Sequence, residues 1–97
     1  MNSYITKSLR SAPQVVRRSF EIRTVDNRKV TVHGTKGANG EWSLEAYMQG
    51  EGWVVIGYAY KDGRQWWVEA QQCSVVRPTL DAAMKFAYSV YPSNTGE

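Results

Sequence analysis

The chain has 97 residues, 42% of them hydrophobic, with twelve Lys/Arg against nine Asp/Glu and a formal net charge of +3. That length sets one domain with one modest core, and that hydrophobic share excludes a chain too polar to fold alone. The single cysteine, Cys73, excludes a disulfide framework within one chain and points to a reducing, cytoplasmic setting.

Residues 1–14 read as a solvated basic arm. Residues 1–20 have the cations and serines of a short transit peptide, but Pro13 and the β-branched pair Val15-Val16 interrupt a long amphipathic helix. No continuous apolar core marks a signal peptide, and no stretch approaches the ~20 apolar residues that span a bilayer, so no membrane association is expected.

From residue 20 the chain alternates with period two. Phe20 to Val25 and Lys29 to His33 read as two strands around Asp26-Asn27, residues that tolerate the positive φ of a tight hairpin. Gly34 to Gly40, with three glycines, reads as a loop. Trp42 to Met48 is the third strand, residues 49–52 a turn, and Trp53 to Tyr60 the fourth strand. Lys61-Asp62-Gly63-Arg64 is a hairpin signal with Asp-Gly at its centre, followed by a fifth strand from Gln65 to about Cys73 and at most Val76. The period then becomes 3.6. Leu80, Ala83, Met84, Ala87 and Tyr91 share one helical face, with Thr79 as N-cap, Asp81 in the first turn and Pro92 as the stop.

The order predicts a small α+β domain over residues 15–92: a five-stranded antiparallel meander, open or curled, with one C-terminal helix packed on one face and a polar tail at 93–97. Alternation puts Phe20, Ile22, Val30, Val32, Trp42, Leu44, Ala46, Met48, Trp66, Val68 and Ala70 inward. Strand four is apolar on both faces; Val54, Ile56, Tyr58 and Tyr60 are assigned inward, leaving Trp53, Val55, Gly57 and Ala59 outward, with Gly57 as a depression or a bulge. The outer face then gathers Arg23, Lys29, Thr31, His33, Tyr47, Trp53 and Trp67. Cys73 is expected to pack as a small hydrophobe.

No constellation for catalysis is visible, and the chain is not expected to be an enzyme. The one histidine, His33, has no partners at metal spacing and is expected to be solvated, and no serine lies in a nucleophile elbow. The loop 34–40 lacks the Gly-Lys-Ser/Thr ending of a phosphate loop and leads into a strand. No cofactor and no metal are expected.

What stands out is the distribution of charge. Residues 1–36 hold eight cations against Glu21 and Asp26, a local +6, whereas residues 37–97 hold four against seven acids, a local −3. A basic sector beside aromatic strands suits a non-catalytic module that binds nucleic acid, single strands in preference, since the one helix carries only Lys85 as a cation. Arg17, Arg18, Arg23, Arg28, Lys29 and Lys36 are the candidate phosphate contacts, with Arg64 at a hairpin tip, and Tyr47, Trp53 and Trp67 the stacking platforms. Charge reversal at Arg17, Arg18 and Lys29 is then expected to abolish binding. The alternative is a small protein-binding inhibitor or adaptor, of the kind phages use to block host defence complexes, working through the same aromatic face; it rests on analogy of size and fold alone. A nucleoprotein partner and a homodimer through a strand edge or the aromatic face are further expectations. An aromatic-lined small-ligand site requires sheet curvature.

Overall fold

The computed structural model describes residues 16–92. The expected basic arm at 1–14 and polar tail at 93–97 lie outside the described residues. Within them the chain forms an antiparallel sheet of six strands and one C-terminal helix, an α+β fold. The strands are β1 (Val16–Arg23), β2 (Lys29–Lys36), β3 (Trp42–Met48), β4 (Gly52–Asp62), β5 (Gln65–Ala70) and β6 (Cys73–Arg77), and the helix is α1 (Leu80–Val90). Each strand pairs with the next in sequence, so spatial order repeats chain order.

Six strands replace the expected five because the run after Gln65 folds back on itself. Gln71 and Gln72 both adopt positive φ, 51° and 65°, and join β5 to β6 as a two-residue loop of the primed type that matches strand twist. Cys73, just past this turn, is exposed rather than packed, since it opens an edge strand. The other turns use the residues the sequence marks. Thr24–Arg28 and Gly37–Glu41 share one geometry: the first residue's N–H bonds the fifth residue's carbonyl and the fourth's N–H bonds the first's carbonyl, with Asn27 and Gly40 at positive φ. The glycine-rich loop is therefore shorter than expected, because β2 runs through Gly34 to Lys36. Strand β4 also runs through Asp62, which pairs with Gln65, so Gly63-Arg64 forms the loop and Gly63 supplies its positive φ.

The helix forms as the sequence signals. Thr79 caps it, its hydroxyl accepting from the Ala82 N–H at 3.0 Å, and Asp81 pairs with Lys85 one turn on. Ala83, Met84, Ala87 and Tyr88 are buried against Ile22, Val32, Leu44, Ala46, Ile56, Ala59 and Val68 of the sheet. Helix α1 lies mainly on β4 and β5 and also touches β1 and β6, the two edges of the sheet. The sheet therefore curls around the helix as a half-barrel, concave on the helix side, and β1 does not pair with β6. Among the described residues no helix is long and apolar enough to cross a membrane.

Strand β4 departs from alternation. Leu44 faces Gly57 but Glu45 faces Val55, so Ile56 and Gly57 together occupy one register step as a bulge. The bulge reverses the faces beyond it: Tyr58 turns out to the convex side and Ala59 is buried, the opposite of the sequence expectation. Gly57 itself faces in. A Cβ there would stand 2.8 Å from the Glu69 carbonyl oxygen and 3.1 Å from the Ala87 Cβ, so the missing side chain lets β5 and α1 approach. The second edge of β4 is paired only from Tyr58 to Asp62.

Candidate functional site

The convex face carries the predicted aromatic surface. Cross-strand pairing sets Tyr47 opposite Trp53, with ring centroids 5.9 Å apart and edge to face. His33, two strands from β4, stacks on Trp53 at 4.0 Å and 10°, so it packs on a ring rather than standing alone in solvent. Tyr47, Trp53, Val55 and Tyr58 are 58%, 46%, 42% and 43% exposed, a run of large apolar side chains on one surface. Trp67 faces the same way but pairs with Tyr60 near the far end of β4, where its ring N–H donates to Asp62 Oδ2 at 3.0 Å. Seven residues of strand, about 20 Å, separate it from Trp53.

The cations near this face are engaged. Arg17 lies 3.5 Å from Glu45 and 3.4 Å from His33 Nδ1, and Lys29 lies 3.8 Å from Glu21. At the β1–β2 hairpin, Arg23 donates to the Asn27 carbonyl at 3.0 Å and Arg28 pairs with Asp26 at 3.0 Å. The Asp26 carboxyl is held below its usual range by hydrogen bonds, first from the Thr24 hydroxyl and then from Arg28, which is pushed up in return. Arg64 sits at the β4–β5 turn, distant in sequence from the β1–β2 hairpin.

Arg18 and Lys36 are placed elsewhere. Alternation turns them to the concave side, where they line a cleft of about 790 Å³ at the end of the half-barrel that α1 leaves open. Residues of β1 and β2 form one wall and residues of β4 and β5 the other, with Lys61 and Trp66 on the second wall. Trp42, between them on β3, is buried and meets Phe20 edge to face at 5.8 Å. Gly34 makes this contact feasible, since a Cβ there would lie 2.9 Å from the Trp42 ring. Lys61 Nζ stands 5.8 Å from the Trp66 ring centroid. Among the described residues, no ion pair joins Arg18, Lys36 or Lys61 to a carboxylate, although Glu41 also lines the cleft.

The ten residues singled out in the sequence therefore fall into separate groups. Arg17, Lys29, Tyr47, Trp53 and Trp67 lie on the convex side, Arg23, Arg28 and Arg64 at hairpins, and Arg18 and Lys36 in the cleft. Sequence reasoning passed over Lys61, Phe20, Trp42 and Trp66 as site residues, because inward aromatics read as core. One signal was available: Lys61 and Trp66 flank the hairpin turn at equal distance, a cross-strand cation–aromatic pair. No group of three or more metal-ligating side chains occurs among the described residues. No protein-family model, curated protein or solved structure matches this chain.

Proposed function

We propose that the chain is a non-catalytic binding module for single-stranded nucleic acid, and that its contact surface is the concave cleft rather than the convex aromatic face. The reading rests on one observation: Arg18, Lys36 and Lys61 have no ion-pair partner among the described residues and border a cleft lined by Phe20, Trp42 and Trp66. Unpaired cations are available to phosphates, and aromatic rings supply faces or edges on which bases pack without regard to sequence. On the convex side, Arg17 and Lys29 already have carboxylate neighbours, so a phosphate would have to displace them.

The test is titration of a labelled single-stranded oligonucleotide at increasing salt. Each phosphate neutralised on a single strand contributes about −0.7 to the slope of log K against log salt, so the three cations set a bound of about −2. Reversing Arg18, Lys36 and Lys61 to Glu together is expected to abolish binding, whereas Arg17→Glu with Lys29→Glu leaves most of it. Retention of affinity by the triple variant would refute the proposed surface.

A second reading, a protein-binding inhibitor or adaptor or a homodimer, is favoured by the exposed run Tyr47, Trp53, Val55 and Tyr58. Its charge is largely balanced locally, as suits an apolar protein contact.

A further inference from the structure

The helix bounds one side of the cleft. Helix α1 covers the concave face over β4 and β5, and Leu80, its first residue, lines the cleft, so a strand entering from the open end meets the helix. On that side a continuous strand has no way through, whereas a strand end needs none. Its volume of about 790 Å³ lies in the range that encloses one drug-sized ligand, which is the scale of a nucleotide or two.

Charge points the same way. Arg18 and Lys36 on one wall and Lys61 on the other border a single concavity, with Glu41 the one carboxylate in the same lining. An internal phosphodiester carries one negative charge, whereas a terminal phosphate monoester carries about −1.5 to −2 at neutral pH and offers three acceptor oxygens. Three cations around one concavity match the monoester better.

From this geometry we infer that the cleft seats the phosphorylated end of a single strand, with the terminal base packed against the aromatic lining and the phosphate between Arg18, Lys36 and Lys61. The inference rests on the nucleic-acid reading above. The shared chemistry is a nucleoside monophosphate unit, and the strand end is the source to which it commits.

The experiment titrates the full chain with three labelled strands of one sequence: linear with a terminal phosphate at each end, linear with both phosphates removed, and covalently closed into a circle. Free nucleoside monophosphate serves as competitor. The phosphorylated linear strand is expected to bind about tenfold or more tighter than the other two, the difference that charge-assisted contacts to one phosphate supply. Arg18→Gln with Lys61→Gln, both at exposed positions, is expected to erase the preference for the phosphate while leaving the fold intact, as far-ultraviolet circular dichroism would report. A circle that binds as tightly as the phosphorylated strand overturns the end-binding inference and leaves the nucleic-acid reading standing. Failure of all three strands overturns both. Tight binding of the free nucleotide with no binding of any strand replaces the strand end by a free nucleotide and also overturns the inference.

Discussion

Gly57 shows what one absent side chain does in this fold. It lies in the β4 bulge with the Glu69 carbonyl oxygen on one side and Ala87 on the other, and neither backbone nor helix can withdraw cheaply. Gly57→Ala is therefore expected to lower unfolding stability by about 2–3 kcal/mol through overpacking, measured by urea denaturation. The sequence marked this residue as a depression or a bulge but assigned it to the outer face, since both faces of strand four are apolar and alternation alone cannot detect an inserted residue. At the β1–β2 hairpin, Asp26 accepts hydrogen bonds from Thr24 and Arg28 that favour its charged form. Its folded carboxyl titrates below the unfolded one, so its contribution to stability is present above the unfolded pKa and disappears as pH falls through the folded value. Asp26→Asn is expected to flatten that acid limb while leaving the slope above pH ~5 unchanged, as urea melts across pH would record.

Among the elements, legibility followed local chemistry. The helix was readable from end to end because its cap, its period and its terminating proline agree, and the Asn27, Gly40 and Gly63 turns were readable because those residues adopt positive φ at little cost. The β5–β6 hairpin was not. Gln71 and Gln72 hold the left-handed conformation without the side chains that favour it, so nothing in their chemistry announces a turn. The same fact makes the hairpin improvable. Replacing Gln71-Gln72 with Asn-Gly is expected to raise stability by about 1–2 kcal/mol, seen as a higher urea midpoint with unchanged slope, because the strain in two left-handed residues is relieved. An unchanged midpoint would mean that packing around the turn, not backbone conformation, sets its stability.

For the whole molecule, the charge split in the sequence was real as composition but silent about placement. Alternation sends Arg17 and Arg18 to opposite faces, and only the curl of the sheet turns Lys36 and Lys61 toward one cleft. The curl accompanies a bulge in β4, close approaches at Gly34 and Gly57, and small residues under the helix, a collective arrangement that residue patterns do not encode one strand at a time. The two candidate surfaces lie on opposite sides of the sheet, which makes them separable. Trp53→Ala is expected to change oligonucleotide affinity by roughly twofold at most, since distant sites act independently. A loss of more than about tenfold in the same titration would bring the convex face into the nucleic-acid footprint. Finally, the agreement of strand order with chain order bears on how the molecule assembles. Every ladder closes through a local loop, so the hairpins can zip in succession with little entropic cost for closure. The helix is different: its contact with β1 joins the two ends of the described chain. Helix docking is thus the step that couples otherwise local units into one cooperative transition, and it is also the step that blocks one side of the cleft. The helix thus both ties the hairpins together and shapes the cleft.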